Sequence, residues 1–173
     1  LKVYDKFQSA DASLEDLIQN FEWVRFDPRL GEILVKFVRD HWQEWNPMQI
    51  RSLIAKKDWP QVFAVLCEHV QILDNSAEFD AWFKCVSTSL PAQAPQLFFI
   101  GIYAFGGTLG RNEVFNTLKL YRRWGFYSEA LMLRKSTSRT LHKKPQRLQL
   151  LQDLLKQKQR LTQKKIQNGV EQN

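Results

Sequence analysis

Asp27-Pro28-Arg29-Leu30-Gly31-Glu32-Ile33-Leu34-Val35-Lys36-Phe37-Val38 is the stretch that decides the fold class. An aspartate side chain accepts a bond from the free N–H groups that open a helix. Proline suits the first helical position, where its missing N–H costs nothing. Behind this start signal Leu30, Ile33, Leu34, Phe37 and Val38 recur at spacings of three and four, and Trp42 prolongs the stripe. That period lays them along one face of an α-helix, whereas a half-buried strand would alternate.

The same punctuation recurs on both sides. Ser13 and Asp16 match a capping box ahead of Leu14, Leu17, Ile18 and Phe21. Asn46-Pro47 repeats the start signal and opens a helix through Met48, Ile50, Leu53 and Ile54. That helix ends in Lys56-Lys57, where positive charge complements the helix dipole. Asp58-Trp59-Pro60 predicts a corner, because a residue before proline is pushed out of the α region. A helix through Val62, Phe63, Val65, Leu66, Val70 and Leu73 follows. Asp74-Asn75-Ser76 ends it and caps the next one, which carries Phe79, Trp82, Phe83 and Val86 on one face.

Beyond the loop marked by Pro91 and Pro95, Leu97 to Phe105 is apolar nearly all round. This predicts a helix buried on several sides at the centre of the domain, stopped by Gly106-Gly107. Thr108 or Asn112 starts another helix using Val114, Phe115, Leu118 and Leu120, with Tyr121 packing inward. Trp124-Gly125 turns into a helix from Ser128 to Lys135, and Pro145 begins a long polar helix to about Ile166. No segment alternates convincingly. The expected fold is all-α: a single-domain irregular bundle or array of about seven to nine helices with a long polar C-terminal helix. Residues 1–12 read as an N-terminal extension, 13–144 as the helical core domain, and 145–173 as a basic C-terminal helix with a frayed tail.

One internal echo joins Lys56-Lys57-Asp58-Trp59 to Arg122-Arg123-Trp124. In each, a helix ends in paired cations, a tryptophan turns the corner and an apolar helix is expected to follow. Gly125, Tyr127, Glu129, Ala130 and Leu131 resemble the inter-helix turn of a tetratricopeptide repeat. The rest of that repeat's signature is absent, two copies do not make an array, and no family follows from them.

Charge divides the chain. Residues 1–118 hold 11 Lys/Arg against 15 Asp/Glu, a formal −4; residues 119–173 hold 14 against 3, a formal +11. The two add to the overall +7. An acidic body with a basic end suits a polyanionic partner or an acidic protein surface. Cys67 and Cys85 both lie among apolar neighbours and are expected as buried free thiols. Two thiols, no apolar signal core at residues 1–6 and no apolar run near the ~18 residues a membrane span needs predict a cytoplasmic protein without a membrane partner.

Catalytic chemistry finds no foothold. His41, His69 and His142 lack metal-ligand spacing, Cys67 and His69 cannot share a helical face, and no Cys-x-x-Cys occurs. Gly101, Gly106, Gly107 and Gly110 form neither phosphate-loop pattern, and no strand is expected before them. No metal, cofactor or catalytic residue is therefore expected. The helix over 60–73, placed by a corner as in a helix-turn-helix, is too apolar to read DNA and belongs to the core. The segment Asn112–Arg123 holds its cations at the wrong end for a recognition helix.

What remains is binding. Lys119, Arg122, Arg123, Arg134, Lys135, Arg139, Lys143 and Lys144 are interleaved with Tyr121, Trp124, Phe126 and Tyr127. Cations attract phosphates regardless of sequence, and aromatics stack on bases when they are exposed. The expected function is a non-catalytic binding protein whose segment 119–147 contacts nucleic acid phosphates. The alternative is a protein-interaction or scaffold module that self-associates through Leu148, Leu151 and Leu155 of the terminal helix.

Overall fold

The computed structural model describes residues 2–8, 12–102 and 106–133. Eight α-helices, two short 3-10 helices and one two-stranded ribbon occur among them. The first two helices are α1 (Lys2–Gln8) and α2 (Leu14–Asn20), followed by a 3-10 turn at Phe21–Arg25. Next come α3 (Pro28–His41), a second 3-10 turn at Trp42–Glu44, α4 (Pro47–Ile54), α5 (Gln61–Leu73) and α6 (Ala77–Ser87). Strand β1 (Gln96–Leu97), α7 (Thr108–Phe115), α8 (Lys119–Arg122) and β2 (Phe126–Tyr127) complete the order. Helix dominates, as the sequence predicts, and no helix among the described residues is long and apolar enough to cross a membrane.

Four of the expected start signals operate through their side chains. Ser13 and Asp16 form the reciprocal capping box. Asp27 accepts from the Arg29 N–H, Asn46 from Met48 and Ser76 from Phe79. Each such cap contributes about 1 kcal/mol and fixes where its helix begins. The core then forms around α5, whose first ten residues, Gln61–Val70, are all buried. Helix α3 packs on α5 and α1 while α4 packs on α6. Aromatic edges interlock across these joints, with Phe21 against Phe63 at 5.7 Å and Phe7 against Phe37 at 5.1 Å.

The expected central helix over 97–105 does not form at 97–102, and 103–105 lie outside the described residues. Gln96–Leu97 is a strand, the chain turns at Ile100–Gly101, and Gly101 stands at φ 79°, a conformation that no helix continues through. A short apolar run suits a buried strand as well as a buried helix, and Pro95 together with two consecutive phenylalanines tips it towards the strand. Phe98 and Phe99 nevertheless reach the core, at 0% and 3% exposure. Gly107 caps α7 rather than ending a helix before it. The single helix expected across 112–123 is also interrupted, at Asn116–Leu118, which leaves Phe115 81% exposed while Tyr121 is fully buried.

Nor is there a helix at 128–133; Arg134 and Lys135 lie outside the described residues. β2 pairs in parallel with β1, Gln96 opposite Phe126 and Leu97 opposite Tyr127. Parallel strands need a long crossover, here residues 98–125. Gly125 enters β2 at φ 74°, and a Cβ there would lie 2.7 Å from the Gln93 side chain and 3.1 Å from its carbonyl oxygen. Only glycine fits. The echo between the two tryptophan corners therefore ends at the turn, since a strand follows the second one. Cys67 is buried as expected, but Cys85 is exposed on the outer side of α6.

One side chain ties this ribbon to the helices. Arg25 is 1% exposed, and its guanidinium donates to the Phe98 carbonyl (3.1 Å), the Leu97 carbonyl (2.9 Å) and Gln96 Oε1 (2.8 Å). Its flat faces lie against the rings of Trp59 at 4.3 Å and Phe126 at 5.1 Å. In the opposite direction, the Arg25 carbonyl accepts from the Ile100 N–H at 2.7 Å. Among the described residues no carboxylate forms an ion pair with the group and Nη1 has no partner, although the charge of nearby Glu22 partly opposes the effect of burial. Burial pulls its pKa down to about 10, so it is still charged at neutral pH.

Candidate functional site

Three of the expected phosphate-binding residues fall on or beside α8. Its short length is set by what surrounds it. Leu118 donates to the Ser128 carbonyl at 2.9 Å, so the helix starts where the chain runs beside the segment after β2. Tyr121 points into the core, with its ring 4.9 Å from Phe98 and its hydroxyl donating to the Ala130 carbonyl at 2.8 Å. With Tyr121 inward, Lys119 and Arg122 face solvent. Neither makes an ion pair among the described residues.

Arg123 is held differently. Its Nη1 donates to Glu68 Oε1 of α5 at 2.6 Å, and the same oxygen accepts from Trp124 Nε1 at 3.1 Å. Glu68 is 10% exposed at its side chain and Arg123 62%. A pair this open adds at most about 1 kcal/mol of stability. Its effect is positional: one edge of the guanidinium is fixed and the rest stays open to water.

These groups border a groove of about 430 Å³. Its apolar surface comes from Ile72 on α5, from Leu118 and Leu120 around α8, and from Leu131. Glu68 and Gln71 line it from α5, and Lys119 and Arg123 from the α8 side. Gln71 is steadied by donating to Asp80 Oδ1 at 2.6 Å. The wall carrying Leu131 is held by Glu113, a buried residue of α7 whose Oε2 accepts from the Glu129 N–H at 2.8 Å.

His69 anchors the same wall from beneath. It is fully buried; its Nδ1–H donates to the Val65 carbonyl at 2.8 Å, and Nε2 accepts from the Met132 N–H at 3.3 Å. Those two bonds define a neutral ring with its proton on Nδ1. Burial pulls its pKa to about 4, against the opposing pull of the Val65 bond. Burial likewise pushes the Tyr121 phenol well above its ordinary range. Met132 in turn fills the space above Gly31, where a Cβ would lie 2.4 Å from its sulfur.

Of the aromatic residues interleaved with the cations, Tyr121 and Phe126 are core residues with no exposed surface, so neither is a platform for bases. Arg134, Lys135, Arg139, Lys143 and Lys144, and the leucines Leu148, Leu151 and Leu155, lie outside the described residues. Glu68 and Arg25 both carry more of the architecture than the sequence suggests. The one available signal is a charged residue inside an apolar run, Val65-Leu66-Cys67-Glu68 and Trp23-Val24-Arg25-Phe26. Among the described residues no group of three or more His, Cys, Asp or Glu is arranged to hold a metal.

No protein-family model, curated protein or solved structure matches this chain.

Proposed function

We propose that this protein is a non-catalytic binding module that contacts nucleic acid phosphates through the basic segment 119–147. The supporting observation is charge segregation: 14 Lys/Arg against 3 Asp/Glu after residue 118, on a body of formal charge −4. Lys119 and Arg122 add to it as exposed cations on one short helix. Binding of this kind is driven by release of counterions from the phosphate backbone, so it is steeply salt-dependent and tolerant of sequence.

Anisotropy titration of labelled single-stranded and duplex DNA and RNA at low and physiological salt tests it. With about six phosphates engaged, affinity should fall roughly a thousandfold between the two conditions. A Lys119→Glu/Arg122→Glu variant should weaken binding to every sequence and flatten the salt slope by about two. No binding at low salt sinks the reading.

A second reading, protein interaction, draws support from a different surface. Trp23 and Phe26 are 58% and 45% exposed, sit 5.6 Å apart, and border a cavity of about 270 Å³ together with Val3, Tyr4 and Leu30. Exposed tryptophan beside an apolar recess is the composition of interface hot spots. Self-association, through this face or through Leu148, Leu151 and Leu155, predicts a light-scattering mass above one chain. It also predicts that the mass falls on deleting 148–173 or introducing Trp23→Ser/Phe26→Ser. A single-chain mass for the intact protein refutes it.

A further inference from the structure

We propose that the groove between α5 and α8 seats an unpaired nucleotide. This rests on the phosphate-binding reading above and makes it specific for single strands. At about 430 Å³ the groove falls within the roughly 300–1,000 Å³ typical of small-molecule sites, too small a volume to enclose a duplex.

Its chemistry divides as a nucleotide's does. A base has two flat faces that favour apolar contact, and Ile72, Leu118, Leu120 and Leu131 offer an aliphatic lining. The phosphate needs cations at the rim, supplied by Lys119 and by the open edge of Arg123. The base edge needs a hydrogen-bonding partner, and here Glu68 decides the matter. Both of its recorded bonds, from Arg123 and Trp124, fall on Oε1, so Oε2 has no donor among the described residues. A carboxylate oxygen only accepts, and every unpaired base has an edge donor to offer it, the exocyclic amine of adenine, cytosine or guanine or the imino N3–H of uracil or thymine.

The same oxygen argues against an aliphatic peptide side chain as the occupant. Such a group would cover Glu68 and leave Oε2 without a donor, which is costly. In a duplex the base faces are stacked and the edge donors are paired, so only a strand with free bases can present all three groups at once.

The full-length protein is titrated with a labelled single-stranded RNA rich in adenine, the same length of oligouridine, and an abasic strand carrying phosphates alone. Both base-bearing strands should bind about tenfold more tightly than the abasic one. Ile72→Asn/Leu131→Asn removes apolar lining at two exposed positions without altering charge. It should abolish the preference for bases and leave abasic affinity unchanged, with thermal melting confirming that the fold is retained. If the abasic and adenine-rich strands bind equally, or the double variant weakens both alike, the nucleotide seat is refuted while the phosphate reading stands. If no strand binds at low salt, both fall together.

Discussion

Arg25→Ala is expected to lower the free energy of unfolding by about 3–5 kcal/mol, read from chemical denaturation at neutral pH. Truncation leaves the Leu97 and Phe98 carbonyls and the Gln96 amide oxygen without their donors. A buried acceptor left unmade costs about 1–3 kcal/mol. It also empties the space between the Trp59 and Phe126 rings. Opposing this, the wild type bears the cost of a buried charge without a carboxylate ion pair, the cost that draws the guanidinium pKa down to about 10. Relief of that cost offsets part of the loss and keeps the figure below the sum of the broken bonds. Arg25→Lys should recover little, because one ammonium cannot reach three acceptors spread across a planar fork. A loss below about 1 kcal/mol would mean that the ribbon holds itself to the helices without this clamp. For a domain stabilised by roughly 5–15 kcal/mol, the expected loss is a large fraction of the whole.

The N-terminal half of the fold is legible in the sequence because its signals are local. Ser13, Asp27, Asn46 and Ser76 cap their helices through bonds to residues two or three positions away, so spacing alone identifies them. Past Leu90 the deciding contacts are distant. Gln96 pairs with Phe126 and Phe98 accepts from Arg25, and no short window of sequence carries either fact. The stretch 97–105 was the expected core helix because apolar runs look alike whether a strand or a helix buries them. The apolar run carries the burial of Phe98 and Phe99 but not their conformation. At the candidate site, Lys119, Arg122 and Arg123 were visible as charge. Glu68 was not, because its partner lies 55 positions away on another element.

The second large effect concerns acid. Wild-type stability should fall by roughly 3 kcal/mol between pH 7 and about pH 4 on account of His69 alone. Burial holds its folded pKa down at about 4 against the ordinary 6.5 of the free side chain. Between those values the unfolded chain holds a proton that the native ring refuses. The unfolded state therefore binds more protons, and stability declines as pH falls through that window. The cause is visible in the bonds: protonation at Nε2 would replace the acceptor of the Met132 N–H with a second donor, inside a fully buried site. His69→Gln does not titrate, so urea unfolding of this variant at both pH values should show a difference smaller by that amount. Equal pH dependence in the two proteins would assign the acid sensitivity to other groups.

The parallel ribbon is only two residues long on each strand, yet it closes a 28-residue excursion from Phe98 to Gly125. Helices α1 to α6 assemble through neighbours close in sequence, whereas the ribbon's ends must diffuse together across that span before any bond rewards them. It follows that the ribbon is a late arrival in folding, absent from the rate-limiting ensemble. Weakening it would then speed the escape from the native state while leaving the forward rate almost untouched.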